Sequence, residues 1–314
     1  MGRKEKRRKS GVRRFLALLL IFIIVVVVYR YRVVPGNYQK DVNEYELHTD
    51  VSVSGYMDKL ISPHAILIRL KDKTIMMQEA SEEKIYPASL TKMMTAIVAI
   101  ENSPDLKGEI KLSNSSFERL YEEDASMAGF LPGEKVRVID LLFGAMLPSG
   151  AECCVGLANN IAGSEQEFVT KMNKKAAELG MDNTHFENTT GLHNKNHYST
   201  VKDQAILLSY ALDDDVFRKV FTSSRYSTPP TNKHPDGITF RSTMFEKLTS
   251  RSFAGGEILG GKTGYTGAAG LCLASLAEVD NQEYILVTAG AKGDNHSEQF
   301  NLTDALTVYG SLGK

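Results

Sequence analysis

The sequence predicts an α+β fold, a mixed, largely antiparallel sheet that carries a separate helical lobe. Three observations lead there. A strand-like pair of runs opens the body of the chain near residue 65. Three more strand-like runs close it between 258 and 291. A long stretch of helical pattern, about 102–240 with its loops, lies between them. Early and late strands around a helical insertion belong to one sheet, because neither set alone has enough strands to bury its faces.

The elements follow in order. Residues 35–60 are polar and mixed and read as a linker. Ala65 to Leu70 reads as a strand, Lys71-Asp72-Lys73 as a turn, and Thr74 to Gln78 as the returning partner. Pro87-Ala-Ser-Leu-Thr-Lys92 then opens an apolar helix through Ile100. Val138 to Met146 is amphipathic and stops at Pro148-Ser149-Gly150. Glu152 to Ile161 is a helix of small apolar residues. Glu165 to Leu179 repeats Phe168, Val169, Met172, Ala176 and Leu179 at helical spacing and ends at Gly180. Residues 182–199, rich in Asn, Thr, Gly and His, read as an irregular loop. Val201 to Leu212 returns to helix, and 222–240, with Pro229, Pro230 and Pro235, is loop-rich. Three strands follow at 258–264, 270–278 and 284–291, the last two joined through a turn at 279–283. A helix over 298–312 ends the chain.

The charge is unevenly spread. The net charge of the 314 residues is −1, yet residues 1–14 hold eight Lys/Arg and one Glu, so the remainder carries −8. That remainder has no basic stripe for nucleic acid. The basic tail precedes an unbroken apolar run, Phe15 to Val28, followed by Tyr29-Arg30-Tyr31-Arg32. Counted through Val34, it reaches the roughly 17–25 residues that a membrane span needs, because long basic and aromatic side chains reach the interface. A cleaved signal peptide is the competing reading. The absence of a small-x-small site after the run favours an uncleaved signal-anchor. The expected layout is a cytoplasmic tail at 1–14, a membrane segment at 15–34, a linker at 35–60 and an extracytoplasmic body at 61–314, which is secreted if the segment is cleaved. Cys153, Cys154 and Cys272 form no disulfide framework or metal motif and read as buried small hydrophobes.

The chemistry begins at Ser89 and Lys92. Three residues apart on a helix, they share a face, so the amine reaches the hydroxyl. Serine is a weak nucleophile until a neighbouring base takes its proton, and lysine does so only when burial or a nearby cation depresses its pKa. A second copy, Ser81-Glu82-Glu83-Lys84, is flanked by charge and reads as a solvated face. Two further points follow in order, Ser149-Gly150-Ala151 and Lys262-Thr263-Gly264. Ser-x-x-Lys, Ser-Asp-Asn and Lys-Thr-Gly are known together as the signature of penicillin-binding proteins and class A β-lactamases, and the three points here fall in that order.

The surrounding stretches, Pro87 to Ala96, Leu141 to Gly150, Met172 to Met181 and Lys262 to Gly270, resemble the low-molecular-mass D-alanyl-D-alanine carboxypeptidases. The resemblance runs from about Ile61 to Glu278. It implies the serine β-lactamase/DD-peptidase fold, removal of the terminal D-alanine from peptidoglycan stem peptides, covalent capture by β-lactams, and no cofactor or metal. By matched motif, Ser89 is the nucleophile, Lys92 its base and Ser149 a proton relay to the leaving amine. Lys262 supplies positive field, and Thr263 holds the substrate carboxylate. Gly264 lets the backbone come close, and the Tyr265 N–H completes an oxyanion hole with that of Ser89. Arg241 is a loose match for a carboxylate ligand. His193 and His197, four apart, sit in a loop and read as surface histidines rather than zinc ligands.

Two departures stand out. The family's second motif is Ser-x-Asn, and here Ala151 replaces the asparagine, with Glu152 or a water as its substitute. The chain also stops soon after the catalytic region, with its anchor expected at the N-terminus. The rival readings are a weakened penicillin-binding or sensor protein and, more remotely, a β-lactamase. The second lacks a Glu-x-x-Leu-Asn-like loop over 160–200.

Overall fold

The structure, a computed structural model, describes residues 45–49 and 60–312. The expected basic tail and membrane segment lie outside the described residues. Among the described residues no helix is long and apolar enough to cross a membrane.

The chain begins with β1 (His48–Thr49), β2 (His64–Arg69) and β3 (Thr74–Glu79). A single 3₁₀ turn, Ala88–Leu90, leads into α1 (Thr91–Asn102). The helical lobe comprises β4 (Glu109–Lys111), α2 (Ser115–Glu122), β5 (Lys135–Arg137), α3 (Val138–Met146), α4 (Ala151–Ala162), α5 (Glu165–Glu178), α6 (Val201–Ala211) and α7 (Asp215–Thr222). The chain returns through β6 (Arg225–Ser227), β7 (Thr239–Arg241), α8 (Thr243–Lys247) and β8 (Ser252–Phe253). It finishes with β9 (Gly256–Thr266), β10 (Gly270–Val279), β11 (Gln282–Ala291) and α9 (Phe300–Leu312).

The main sheet has the order β1-β3-β2-β11-β10-β9-β8. Every neighbouring pair is antiparallel except β1 with β3. The early hairpin therefore joins the late strands through β2 and β11, with Ile68 opposite Ile285 and Ile66 opposite Val287. The turn between β10 and β11 holds Asp280 and Asn281 at φ +49° and +62°. This is the two-residue geometry whose twist suits a hairpin and which Asp and Asn tolerate. Residues 45–49, inside the stretch expected to be a linker, contribute β1 and a buried Tyr45.

Both faces of the sheet are covered, so its strands are continuously apolar rather than alternating. Ile66, Ile68, Cys272, Ala274 and Val287 face the core shared with the helical lobe. Ala65, Leu67, Leu273, Leu286 and Ala277 face a second core against α9, with Leu302, Ala305, Val308 and Tyr309. Each large side chain buried there is worth about 1.5–3 kcal/mol. Helix α1 lies at the centre and buries every residue from Thr91 to Ile100. A helix apolar on all sides is stable only in that position.

Three helix starts carry the caps their sequences call for. Ser164 accepts from the Glu167 N–H, Thr200 from the Asp203 N–H, and Asp214 from the Val216 and Phe217 N–H groups. The short pairs β4–β5 and β6–β7 stand where helix and loop were expected. Strands of three residues are too short to show a period. All three cysteines are buried and free.

Candidate active site

Ser89 sits in the 3₁₀ turn at the mouth of α1, half-buried. The turn is held from two sides. At Gly191, with φ +83°, any Cβ would overlap the Ala88 carbonyl. At Gly264 a Cβ would stand 3.1 Å from the Ser89 nitrogen and 3.3 Å from the Pro87 oxygen. A side chain at 264 would press on the chain's own Pro87–Ser89 backbone, which would have to give by a few tenths of an ångström. Ala88 itself has φ +46°, a left-handed conformation that costs a non-glycine residue on the order of 1 kcal/mol.

Lys92, one turn on, is 2% exposed. Its Nζ donates to Ser89 Oγ at 2.9 Å and to the Thr190 carbonyl at 2.6 Å. Once neutral, the amine keeps an N–H for Thr190 and turns its lone pair to the Ser89 proton. The second copy of the motif does nothing similar: Ser81 Oγ donates to Gln78, and Lys84 lies over the Tyr198 ring.

Among the described residues, the stretch of β9 beyond Glu257 has β10 on one side and no strand on the other. That open edge runs beside the 3₁₀ turn and carries Lys262, Thr263, Gly264 and Tyr265. Lys262, 1% exposed, donates to Ser149 Oγ at 2.9 Å and to the Thr263 carbonyl at 2.8 Å. Ser149 stands in the turn between α3 and α4 with φ +68°. Thr263 and Tyr265 are half-buried. The structure thus brings together Ser89 with Lys92, Ser149 with Lys262, and the Lys262–Tyr265 edge with Ser89. Arg241 is exposed, with Nε 3.9 Å from Glu246.

Burial pushes both amines below the ordinary lysine range, and the Lys92 charge depresses Lys262 further. For Lys92 desolvation is the leading cause, ahead of any field from Lys262. Repulsion between two ammonium groups is reciprocal, so a proton kept on one eases its loss from the other. The thiols are pushed the other way. Burial raises Cys154 and Cys272 to about 12, which keeps them protonated and unreactive.

The loop at 182–199 is the part of the site that the sequence did not reveal. Asn188 Oδ1 accepts from the Thr190 N–H, the Thr190 hydroxyl and the Gly191 N–H. This closed turn aims the Thr190 carbonyl at Lys92. The next carbonyl back, that of Thr189, accepts from Thr95 Oγ1 at 2.7 Å. His197, read as a surface residue, is buried. Its Nδ1 accepts from the Glu187 N–H, so its Nε2 carries the proton and donates to Thr91 Oγ1 at 2.8 Å. Burial holds His197 down at about 4. The Asn188-Thr-Thr-Gly191 run was a turn signal of the Asx type. Which helix it would face was not in its own residues.

Ala151, the first residue of α4, is buried among Leu120 and Val155, against Met127 and Leu192. Glu152 does not replace the missing amide. Its Oε1 accepts from the N–H groups of Ala128, Gly129 and Phe130 at 2.7, 2.9 and 3.3 Å, and its buried Oε2 has no hydrogen-bond partner among the described residues. Desolvation raises its carboxyl against those bonds. Thr190 occupies Lys92 instead.

A sequence profile described as D-alanyl-D-alanine carboxypeptidase, peptidase S11, matches residues 51–293. The chain belongs to this family. It is 38% identical over 232 residues to the D-alanyl-D-alanine carboxypeptidase DacF of Bacillus subtilis, a match covering 72% of this chain and 57% of that protein. It is 32% identical over 264 residues to DacC of Escherichia coli, covering 78% and 60%. The chain thus spans less than two thirds of the length of these relatives. Its fold superposes on the crystal structure of the Streptomyces K15 DD-transpeptidase with a TM-score of 0.72 and 26% identity, over 81% of this chain and 98% of that one. The expected fold, an antiparallel sheet flanked by helices with a helical lobe, is the one found.

Proposed function

We propose that this chain is a serine-type D-alanyl-D-alanine carboxypeptidase that removes the terminal D-alanine from peptidoglycan stem peptides. The observation that carries this reading is the buried Lys92 amine, 2.9 Å from Ser89 Oγ. Deprived of water, that amine gives up its proton more readily than a surface lysine and becomes a base for the hydroxyl beside it.

In this reading Ser89 Oγ attacks the carbonyl carbon of the penultimate D-alanine, and its proton passes to Lys92. The oxyanion lies between the N–H groups of Ser89 and Tyr265. The leaving D-alanine nitrogen takes a proton by way of Ser149, whose hydroxyl already bonds Lys262. Water then resolves the acyl-enzyme. Lys262 and Thr263 receive the terminal carboxylate, and Gly264 keeps the strand edge close to Ser89. No step calls for a cofactor. A β-lactam enters by the same attack and remains attached to Ser89.

The basic residues 1–14 and the apolar stretch 15–34 support a single membrane anchor, with the N-terminus in the cytoplasm and the catalytic domain outside, where the peptidoglycan substrate is. Intact mass after incubation with benzylpenicillin is expected to show one adduct, absent in Ser89→Ala. Release of D-alanine from a pentapeptide ending in D-Ala-D-Ala separates turnover from capture. An adduct without release would leave a penicillin-binding sensor, and no adduct at all would overturn the reading.

A further inference from the structure

Thr243 touches both of the segments that the proposed mechanism brings to the substrate's carboxyl end. Its backbone N–H donates to the Leu147 carbonyl at 3.1 Å, two residues before Ser149. Its Oγ1 lies 2.8 Å from Thr263 Oγ1. Helix α8, which begins at Thr243, is pressed onto β9 at Gly261, where any Cβ would overlap Met244 Sδ. The Thr243 backbone is therefore anchored independently of its hydroxyl. Both hydroxyl-bearing residues are half-buried, so the pair is neither sealed off nor freely solvated.

We propose that Thr243 is a positioning residue that sets the direction of the Thr263 proton and so contributes to selectivity for a free C-terminal carboxylate. This rests on the carboxypeptidase reading above. A hydroxyl has one proton to give and two lone pairs to accept with, whereas an ionised carboxylate only accepts. If Thr263 spends its proton on Thr243, it has none for the substrate. If Thr243 donates to Thr263, the Thr263 proton is directed outward and the carboxylate receives a charge-assisted bond. The approach of an anion favours the second arrangement, and Thr243 then keeps a lone pair of Thr263 engaged, which fixes the rotor. Lys262 supplies charge to the same region but no directionality, because its N–H groups already reach Ser149 and the Thr263 carbonyl. Neither the Ser-x-x-Lys nor the Lys-Thr-Gly motif contains Thr243, so no motif search would single it out.

The test compares kcat/KM for a D-Ala-D-Ala peptide and for the same peptide with its C-terminus amidated. The native protein is expected to prefer the free acid. Thr243→Val is expected to lower that preference about tenfold, or about 1.4 kcal/mol, with the loss in KM for the acid and little change for the amide. Thr243→Ser is expected to restore it. In a Thr263→Val background, Thr243→Val should add nothing further, because the two act as one unit. Thr243→Ala serves in place of valine if the larger apolar group disturbs folding. Equal losses for acid and amide, or failure of serine to rescue, would mark a packing role and overturn the inference. Failure of the native protein to release D-alanine from the free-acid peptide would overturn the carboxypeptidase reading itself, and this inference with it.

Discussion

Replacing Lys92 by methionine should make the protein more stable while abolishing acylation of Ser89. The side chain is 2% exposed, so folding takes an amine out of water. The effective cost of desolvating an ammonium group is several kcal/mol. Methionine matches the length and removes that cost, but gives up the bonds to Ser89 Oγ and to the Thr190 carbonyl, a loss of about 1–3 kcal/mol in all. Several kcal/mol set against that loss leave a net gain of about 1–2 kcal/mol. The pH dependence adds a sign. Burial lowers the Lys92 pKa in the folded state below the ordinary lysine value of 10.5. The unfolded chain therefore binds more protons in the window below 10.5, and native stability rises with pH there. Lys262 is depressed for the same reason, so Lys92→Met should remove part of the slope and not all of it. Urea denaturation near neutral pH and again about two units higher measures both quantities, and penicillin labelling reports the function. A methionine variant less stable than the native protein at neutral pH, with the full slope retained, would refute the claim that desolvation depresses the pKa of this lysine.

Other sites make separate predictions. Gly191→Ala must move the Ala88 carbonyl or abandon φ +83°, and should cost about 3 kcal/mol or more together with most acylation, read by thermal melting and penicillin labelling. His197 titrates at about 4 when folded against 6.5 for a solvated histidine, so protons bind the unfolded chain first on acidification. Stability should fall by about 3 kcal/mol between those two values, and His197→Gln, which keeps a donor and an acceptor, should flatten that limb of the denaturation profile. Glu152→Ala strands three backbone N–H groups around Gly129 and should destabilise by about 3 kcal/mol in urea, whereas Glu152→Gln retains the accepting oxygen and should cost about 1 kcal/mol or less.

The contact between Ser89 and Lys92, the nucleophile and base of the proposed mechanism, was legible because they stand three residues apart at the mouth of a helix. Spacing of three residues on a helix fixes their separation whatever the rest of the chain does. The apolar run after Lys92 announced that the helix would be buried, and the hairpin runs at either end announced the sheet. Local patterns are set by backbone periodicity, and periodicity survives in a bare sequence. What pairs with what across a hundred residues is different. The Thr190 carbonyl on Lys92, the His197 ring on Thr91 and the Thr243 hydroxyl on Thr263 join segments 98, 106 and 20 residues apart. Each is a single polar atom in a loop or at a helix start, with no repeat to announce its partner. Glu152 carries the same lesson: its chemistry suggested a substitute for the missing amide, yet the loop at 128–130 presents three N–H groups to Oε1. The sequence by itself determined the layered fold, the family and the pair Ser89 and Lys92. Only the tertiary structure decided what holds that lysine in place, because a hydrogen bond depends on where two distant backbones come to rest.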